Sequence, residues 1–342
     1  MKKVLLAVVG IIFAATIFAQ NALVASLSSG TSTTYYYGVT ALQQAVKNVK
    51  SGDIINLSGG SFNATDITKA ITLRGAGIDS PEPTYIVGDF TIEIPGDDVN
   101  RFMMEGIRCT NSLLINGTFA NPFFQKCQFN EVGNYGGVTV TNIMFSNCKI
   151  TKSFGPRGNN SYILVNCFIN NTTQSEYATI TATNCVFAEP SGYHISSYKQ
   201  FQFFNCIIVS LNGKGGYNDS SGNVNYIPSN SQANNCIAVN FPEGYDAFHE
   251  LSVRSGCPTS SLTYASVFKT YTGTYSDTET FELNDAGKAI LGTDEKEVGL
   301  YGGLQPYDST PTYPLISTMT VPAKTNDQGK MDVTVGISLP TE

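Results

Sequence analysis

Three groups of residues could carry chemistry. In "IPGDDVNR", Asp97 and Asp98 stand close to Arg101: neighbouring carboxylates can hold a divalent cation, and a basic side chain can take a proton. A polar turn leading into a strand would show the same letters. In "EPSGYHISSYKQ", Tyr193 and Tyr198 offer rings that could stack on a sugar, with His194 and Lys199 as polar neighbours. A solvated turn with ordinary tyrosines is the competing reading. Eight cysteines form the third group, five of them written Asn-Cys, and could be bonded, metal-bound or packed. Zinc is disfavoured, because CxxC and HxxxH spacings are missing and there are two histidines. His249 in "YDAFHEL" has no serine or cysteine partner nearby in sequence, and "RGAG" is too short for a dinucleotide fingerprint.

The cysteines also act as a ruler. Positions 109, 127, 148, 167, 185, 206, 236 and 257 are 18 to 21 residues apart, with one gap of 30. Such regularity marks a repeat. Aligned on each cysteine, positions five and three earlier are mostly apolar, as in Ile143 and Phe145 or Tyr162 and Leu164. The cysteine and the residue two later form a second apolar set, as in Cys167 and Ile169. This alignment places Met104 and Gly106 in the first set of the Cys109 copy.

A straight strand cannot present both sets to one side, because three residues separate them. A corner can. The corner falls on Asn147, Asn166, Asn184, Asn205 and Asn235, a residue type that tolerates left-handed backbone; Gly256 takes the place before Cys257. Each repeat therefore reads as two short strands meeting at a bend, with a third strand closing the coil. Stacked coils lie about 4.8 Å apart with parallel side chains, whereas a disulfide needs Cβ atoms roughly 3.8 Å apart and inclined together. Cys127, Cys148, Cys167, Cys185 and Cys206 are thus expected as a ladder of free, buried thiols. The pairing of Cys109, Cys236 and Cys257 stays open.

This pattern resembles the right-handed parallel β-helix of the pectate lyase type, over roughly residues 50 to 300. The resemblance implies asparagine ladders at the bend and an all-β solenoid. In lyases of that kind aspartates hold calcium against a uronate and Arg or Lys is the base, which implies Asp97, Asp98 and Arg101 here. The aspartate, Gly-His-Gly and Arg-x-Lys motifs of β-helix polygalacturonases are missing. "KAITLRGAG" looks like an early β-helix turn, and "NDAGKAILGTDEKEVGLYGG" is similar to the closing turn of exported bacterial β-helix proteins.

The flanks complete the expectation. Residues 1–20, with Lys2, Lys3 and an apolar run to Phe18, read as a secretory signal peptide, hence export to the periplasm, cell surface or medium. No later stretch is long and apolar enough to span a membrane. Residues 21–305 are assigned to the solenoid, with an amphipathic capping helix at about 40–50. Residues 306–342 are read as a proline-punctuated linker and a β-hairpin docked on the last coil. The net charge of −7, more negative once Lys2 and Lys3 are removed, excludes nucleic acid as a partner. Oligomeric state is not legible. The expected function is a glycan-binding or adhesive surface module that needs no cofactor. A calcium-dependent lyase for an acidic glycan is the alternative, and a structural spacer the third.

Overall fold

In the computed structural model, the described residues are 23–134, 139–170, 172, 178–188, 201–210, 231–243, 246–248, 253–320, 328–330 and 334–338. The expected signal peptide lies outside them. The chain is all-β in character and winds as a parallel β-solenoid. One sheet has twelve strands and a second has ten. Successive coils stack in register: Ile143, Tyr162, Ile180 and Phe201 pair in one row, and Ile150, Ile169, Phe187 and Ile208 in another. Both rows are buried and line a core that also holds Phe124, Phe145 and Phe129.

Sharp corners join the two sheets. Asn147, Asn166, Asn184, Asn205 and Asn235 have φ between 49° and 54°, and Lys126, Gly106 and Gly256 extend the column with φ of 53°, 68° and 64°. This left-handed turn costs most residues about 1–2 kcal/mol, which asparagine and glycine reduce. The carbonyl at the end of the preceding strand accepts the corner amide of the neighbouring coil, as Ser146, Val165, Thr183 and Phe204 do from Lys126, Asn147, Asn166 and Asn184. The thiol after the corner reaches it: Cys127, Cys148, Cys167, Cys185, Cys206, Cys236 and Cys257 donate to the carbonyl two residues earlier at 3.2 to 3.4 Å. A thiol is small, apolar and a weak donor, so it fills the core and adds a second, weak bond to that carbonyl.

All eight cysteines are free, and only Cys257 is partly exposed. Burial pushes the thiols of Cys109, Cys148, Cys185 and Cys236 above their ordinary range. The first repeat is shifted from its sequence alignment. Cys109 pairs with Phe129, so Ile107 holds the cysteine column, Gly106 is the corner, and Met104 stands beside Phe124. Glycine had to define that corner, since the Asn-Cys pair is missing there.

A third wall exists in the early coils. Phe90–Ile94, Ser112–Gly117, Glu131–Gly133 and Ser153–Gly155 pair side by side, reached from the second sheet through an irregularity at Asn130. The N-terminal end holds strands β1 (Val24–Ser29) and β2 (Ser32–Tyr37), helix α1 (Ala41–Asn48) and strand β3 (Ile54–Leu57). β1 runs antiparallel to both β2 and β3, and the parallel stack begins at β3. Ala41, Leu42 and Ala45 of α1 are buried in the main core.

The C-terminal segment does not close the last coil. It enters beside the last coils, where Leu262 bridges Val239, and descends along the asparagine corner as a strap. Asn235 donates to the Leu291 carbonyl at 3.1 Å, and Asn205 accepts from the Thr293 amide at 2.8 Å. Asn166 donates to the Leu300 and Gly302 carbonyls at 2.7 and 2.9 Å, and Asn147 accepts from the Asp308 amide at 3.0 Å. Lys126 pairs with Asp308 at 2.8 Å, and both carboxylate oxygens of Glu105 accept from Thr312. Tyr313 finally donates to the Gly75 carbonyl. The "GLYGG" stretch is glycine-rich because it meets these corners closely: a Cβ on Gly303, whose φ is +83°, would sit 2.2 Å from Asn184 Nδ2. The expected linker is thus docked on the early coils. Leu315–Thr320 and Thr334–Ser338 pair antiparallel, and the first of them starts just beyond Tyr313.

Unfolded without reductant, the chain should bind eight equivalents of maleimide, whereas the folded protein should label rapidly only at Cys257; unreactive denatured protein would contradict the thiol ladder. Asn166→Ala combines left-handed strain with the loss of two strap hydrogen bonds, leaving the Gly302 carbonyl without its donor while Leu300 keeps the Tyr307 amide, and should cost about 3 kcal/mol in urea unfolding. Asn166→Gly, which keeps the corner but loses the bonds, should cost clearly less.

Candidate functional site

The residue after each cysteine points out of the solenoid, away from the core. In the middle and late coils this outer row is Phe168, Val186, Ile207 and Ile237, all buried, because the strap covers them with Phe281, Leu283, Val298 and Leu300. Phe168 stacks against both Phe281 and Tyr275, with ring centroids 4.1 and 5.1 Å away. In the early coils the same row turns polar: Tyr85, Arg108, Gln128 and Lys149 pair laterally and lead into Phe168. The strap faces this polar stretch with Tyr275, Asp277 and Tyr307, and the turn after Thr72–Arg74 adds Asp79.

Arg108 organises the cluster. Its Nε donates to the Ile78 carbonyl at 2.6 Å and Nη2 meets Asp79 at 3.1 Å, while Nη1 lies 4.0 Å from Asp277. The guanidinium stands 5.8 Å from the Tyr85 ring centroid. Asp277 Oδ1 accepts from Gln128 at 3.3 Å and from the Tyr275 hydroxyl at 3.0 Å. Arg108 is mostly sheltered, with 16% of its side chain exposed, while Asp79 and Asp277 keep 42% and 61%. The carboxylates therefore present free acceptor positions to solvent from a fixed frame.

Beneath them lies Lys149, only 6% exposed. Its ammonium is 5.6 Å from the Tyr307 ring centroid and has no hydrogen-bond partner among the described residues. Burial lowers its pKa and Arg108 adds to the lowering, against the pull of Asp79, Asp277 and Glu279. The Tyr307 hydroxyl is buried with no hydrogen-bond partner among the described residues, and burial pushes its pKa well up. One polar group, the Tyr307 hydroxyl, thus remains buried and unsatisfied beside a solvent-facing Asp–Arg–Asp frame. An unsatisfied buried hydroxyl costs stability.

The residues singled out in the sequence fare differently. Asp98 is tied into local structure: it accepts from the Ser51 hydroxyl at 2.5 Å, the Ala70 amide at 3.0 Å and the Asn100 amide at 3.1 Å. Burial raises its pKa, but these bonds outweigh it and hold the carboxyl below its ordinary value. Arg101 turns elsewhere, donating to the Asn121 carbonyl at 2.7 Å and covering the Phe123 ring at 4.7 Å. Asp97 is exposed, so the three do not form one constellation. Tyr193, His194, Tyr198 and Lys199 lie outside the described residues. Among the described residues, no group of three His, Cys, Asp or Glu side chains is placed to hold a metal.

Sequence reasoning missed Arg108, Gln128, Lys149, Asp79, Asp277 and the three tyrosines. A signal was present: the residue after the cysteine is polar early and apolar late, although it belongs to an outward face. Compared with known protein families, curated proteins and solved structures, the chain matches none.

Lys149→Met should raise the midpoint of thermal unfolding at pH 7, by a gain of roughly 1–2 kcal/mol, because it removes a buried charge lacking a hydrogen-bond partner. The sign follows from the lowered pKa: the folded state binds fewer protons than the unfolded chain between the lowered and the ordinary lysine value. Wild-type stability therefore rises with pH through that window, and the advantage of Lys149→Met should shrink there. Melting curves across alkaline pH would show it.

Proposed function

We propose that the protein is an exported glycan-binding module built on a right-handed β-helix, with its sugar site at Asp79, Arg108, Gln128 and Asp277. The observation that carries this reading is the Arg108-centred frame, which presents two partly exposed carboxylates between tyrosine rings. Vicinal hydroxyls of a sugar are met by planar acceptors and donors held at fixed spacing, and an aromatic ring covers the apolar face of a pyranose. Tyr85 and Tyr275 are the rings on hand. A rigid solenoid suits a polymeric ligand, since it holds the frame without an ordering cost on binding. On this reading α1 closes the N-terminal end of the core.

The binding reading is preferred to the lyase reading because Asp98 and Arg101 are spent on local bonds. One observation keeps a lyase as the second reading: Lys149, whose lowered pKa suits a base, lies under Arg108. In that version a calcium-bound uronate would have to reach Lys149 past Tyr307.

A glycan array and titration calorimetry with the best ligand test the proposal. Arg108→Ala and Asp277→Asn should each weaken binding at least tenfold while Asp97→Asn leaves it unchanged. Retained affinity in both site variants would refute this location. Unsaturated product from a uronate polymer, lost in Lys149→Met, would favour the lyase.

A further inference from the structure

The twelve-stranded sheet ends at its N-terminal side on β2, which among the described residues has a neighbour on one edge only. The free edge can be mapped. The Gly38 amide donates to the Leu23 carbonyl at 2.9 Å, and the register continues Val24 opposite Tyr37 and Ala25 opposite Tyr36. Antiparallel ladders alternate, so Tyr36, Thr34 and Ser32 aim their backbone groups at β1. Thr33, Tyr35 and Tyr37 aim theirs outward, and none has a hydrogen-bond partner for them among the described residues. Tyr35 and Tyr37 are 58% and 63% exposed.

Natural edges are usually protected by charge, proline or a covering element. β2, with the sequence STTYYY, has neither charge nor proline. Helix α1 packs on β1 and β2, and Tyr36 packs against the core, so one face is covered while no described residue covers the edge.

We infer that β2 pairs antiparallel with β2 of a second copy of this chain, about a two-fold axis through Tyr35. The register is self-complementary: Tyr35 faces its own equivalent and Thr33 faces Tyr37 of the partner subunit. The three resulting residue pairs each exchange two backbone hydrogen bonds. A second copy is the favoured occupant because the outward groups match themselves under that axis. The chain is also acidic overall, with a net charge of −7, and this uncharged strand lets two like-charged molecules meet without repulsion. The paired tyrosines add the contact surface typical of interface centres.

Light scattering on the purified protein over a dilution series should give twice the chain mass, falling to the monomer on dilution. Tyr35→Pro deletes only an outward N–H, a substitution that edge strands accept, and should abolish the dimer with an unchanged melting temperature. Tyr35→Lys should do the same by placing two cations face to face. Equivalent Cα atoms in such a pair lie about 5.5 Å apart, within disulfide reach, so Tyr35→Cys should cross-link under mild oxidation. Val99→Cys, at an equally open position, should not. This cross-link decides the matter even if Tyr35→Pro misfolds. A wild-type monomer at every concentration, or a dimer that survives both Tyr35→Pro and Tyr35→Lys, overturns the inference. So does a dimer lost only on deletion of Leu315–Thr320 and Thr334–Ser338, which would assign the contact to that hairpin.

Discussion

The left-handed corner is the constraint on which the rest of the molecule depends. Each coil must change direction within one residue while keeping apolar side chains on both sides of the bend in the core. Asparagine makes the turn at low cost, its amide bonds a carbonyl of the neighbouring coil, and the cysteine that follows adds a weak hydrogen bond to the carbonyl two residues before it. Repetition at Asn147, Asn166, Asn184, Asn205 and Asn235 then aligns the sheets. The thiols are consequently part of the winding, and all but Cys257 are buried within it.

The same corner has a second use. Asparagine side chains in a stacked column can bond one another or an outside partner, and here several bond the backbone of the C-terminal strap. That choice lets the outer row of the second sheet become apolar from Phe168 to Ile237, with Phe281 and Leu300 laid over it. It also leaves the polar early part of the row, from Tyr85 to Lys149, at the margin of the cover. The candidate site therefore sits where a buried seam gives way to solvent. Positions of this kind hold polar groups rigidly while leaving one side open.

The winding was legible in the sequence because it rests on local rules: alternation, corner residue and period. Cys109 misled the alignment, since it belongs to a neighbouring inward row, and only the left-handed Gly106 marks the true corner. The strap and the site were not legible, because they join residues far apart along the chain. Nothing near Asp277 in sequence says that it meets Arg108. Composition favoured the adjacent Asp97, Asp98 and Arg101, yet side chains adjacent in sequence point apart at a turn and find separate partners. The outer row held the unread clue: "CFI", "CVF" and "CII" place apolar residues on consecutive positions, which a wall wet on one side does not need.

The strap also alters how the solenoid must come apart. A stack of repeats with contacts only between neighbours is a one-dimensional system, in which terminal coils can fray while the middle stays folded. Here Tyr313 is tied to Gly75 and Thr312 to Glu105, across more than 200 residues of sequence, while Leu291 is tied to Asn235 at the other end. Loss of either end coil releases one end of a segment whose remaining bonds run the length of the stack. The repeats are thereby converted from a row of semi-independent units into a single cooperative body. All-or-none unfolding is the expected consequence, and the strap must be synthesised before the early coils are secured.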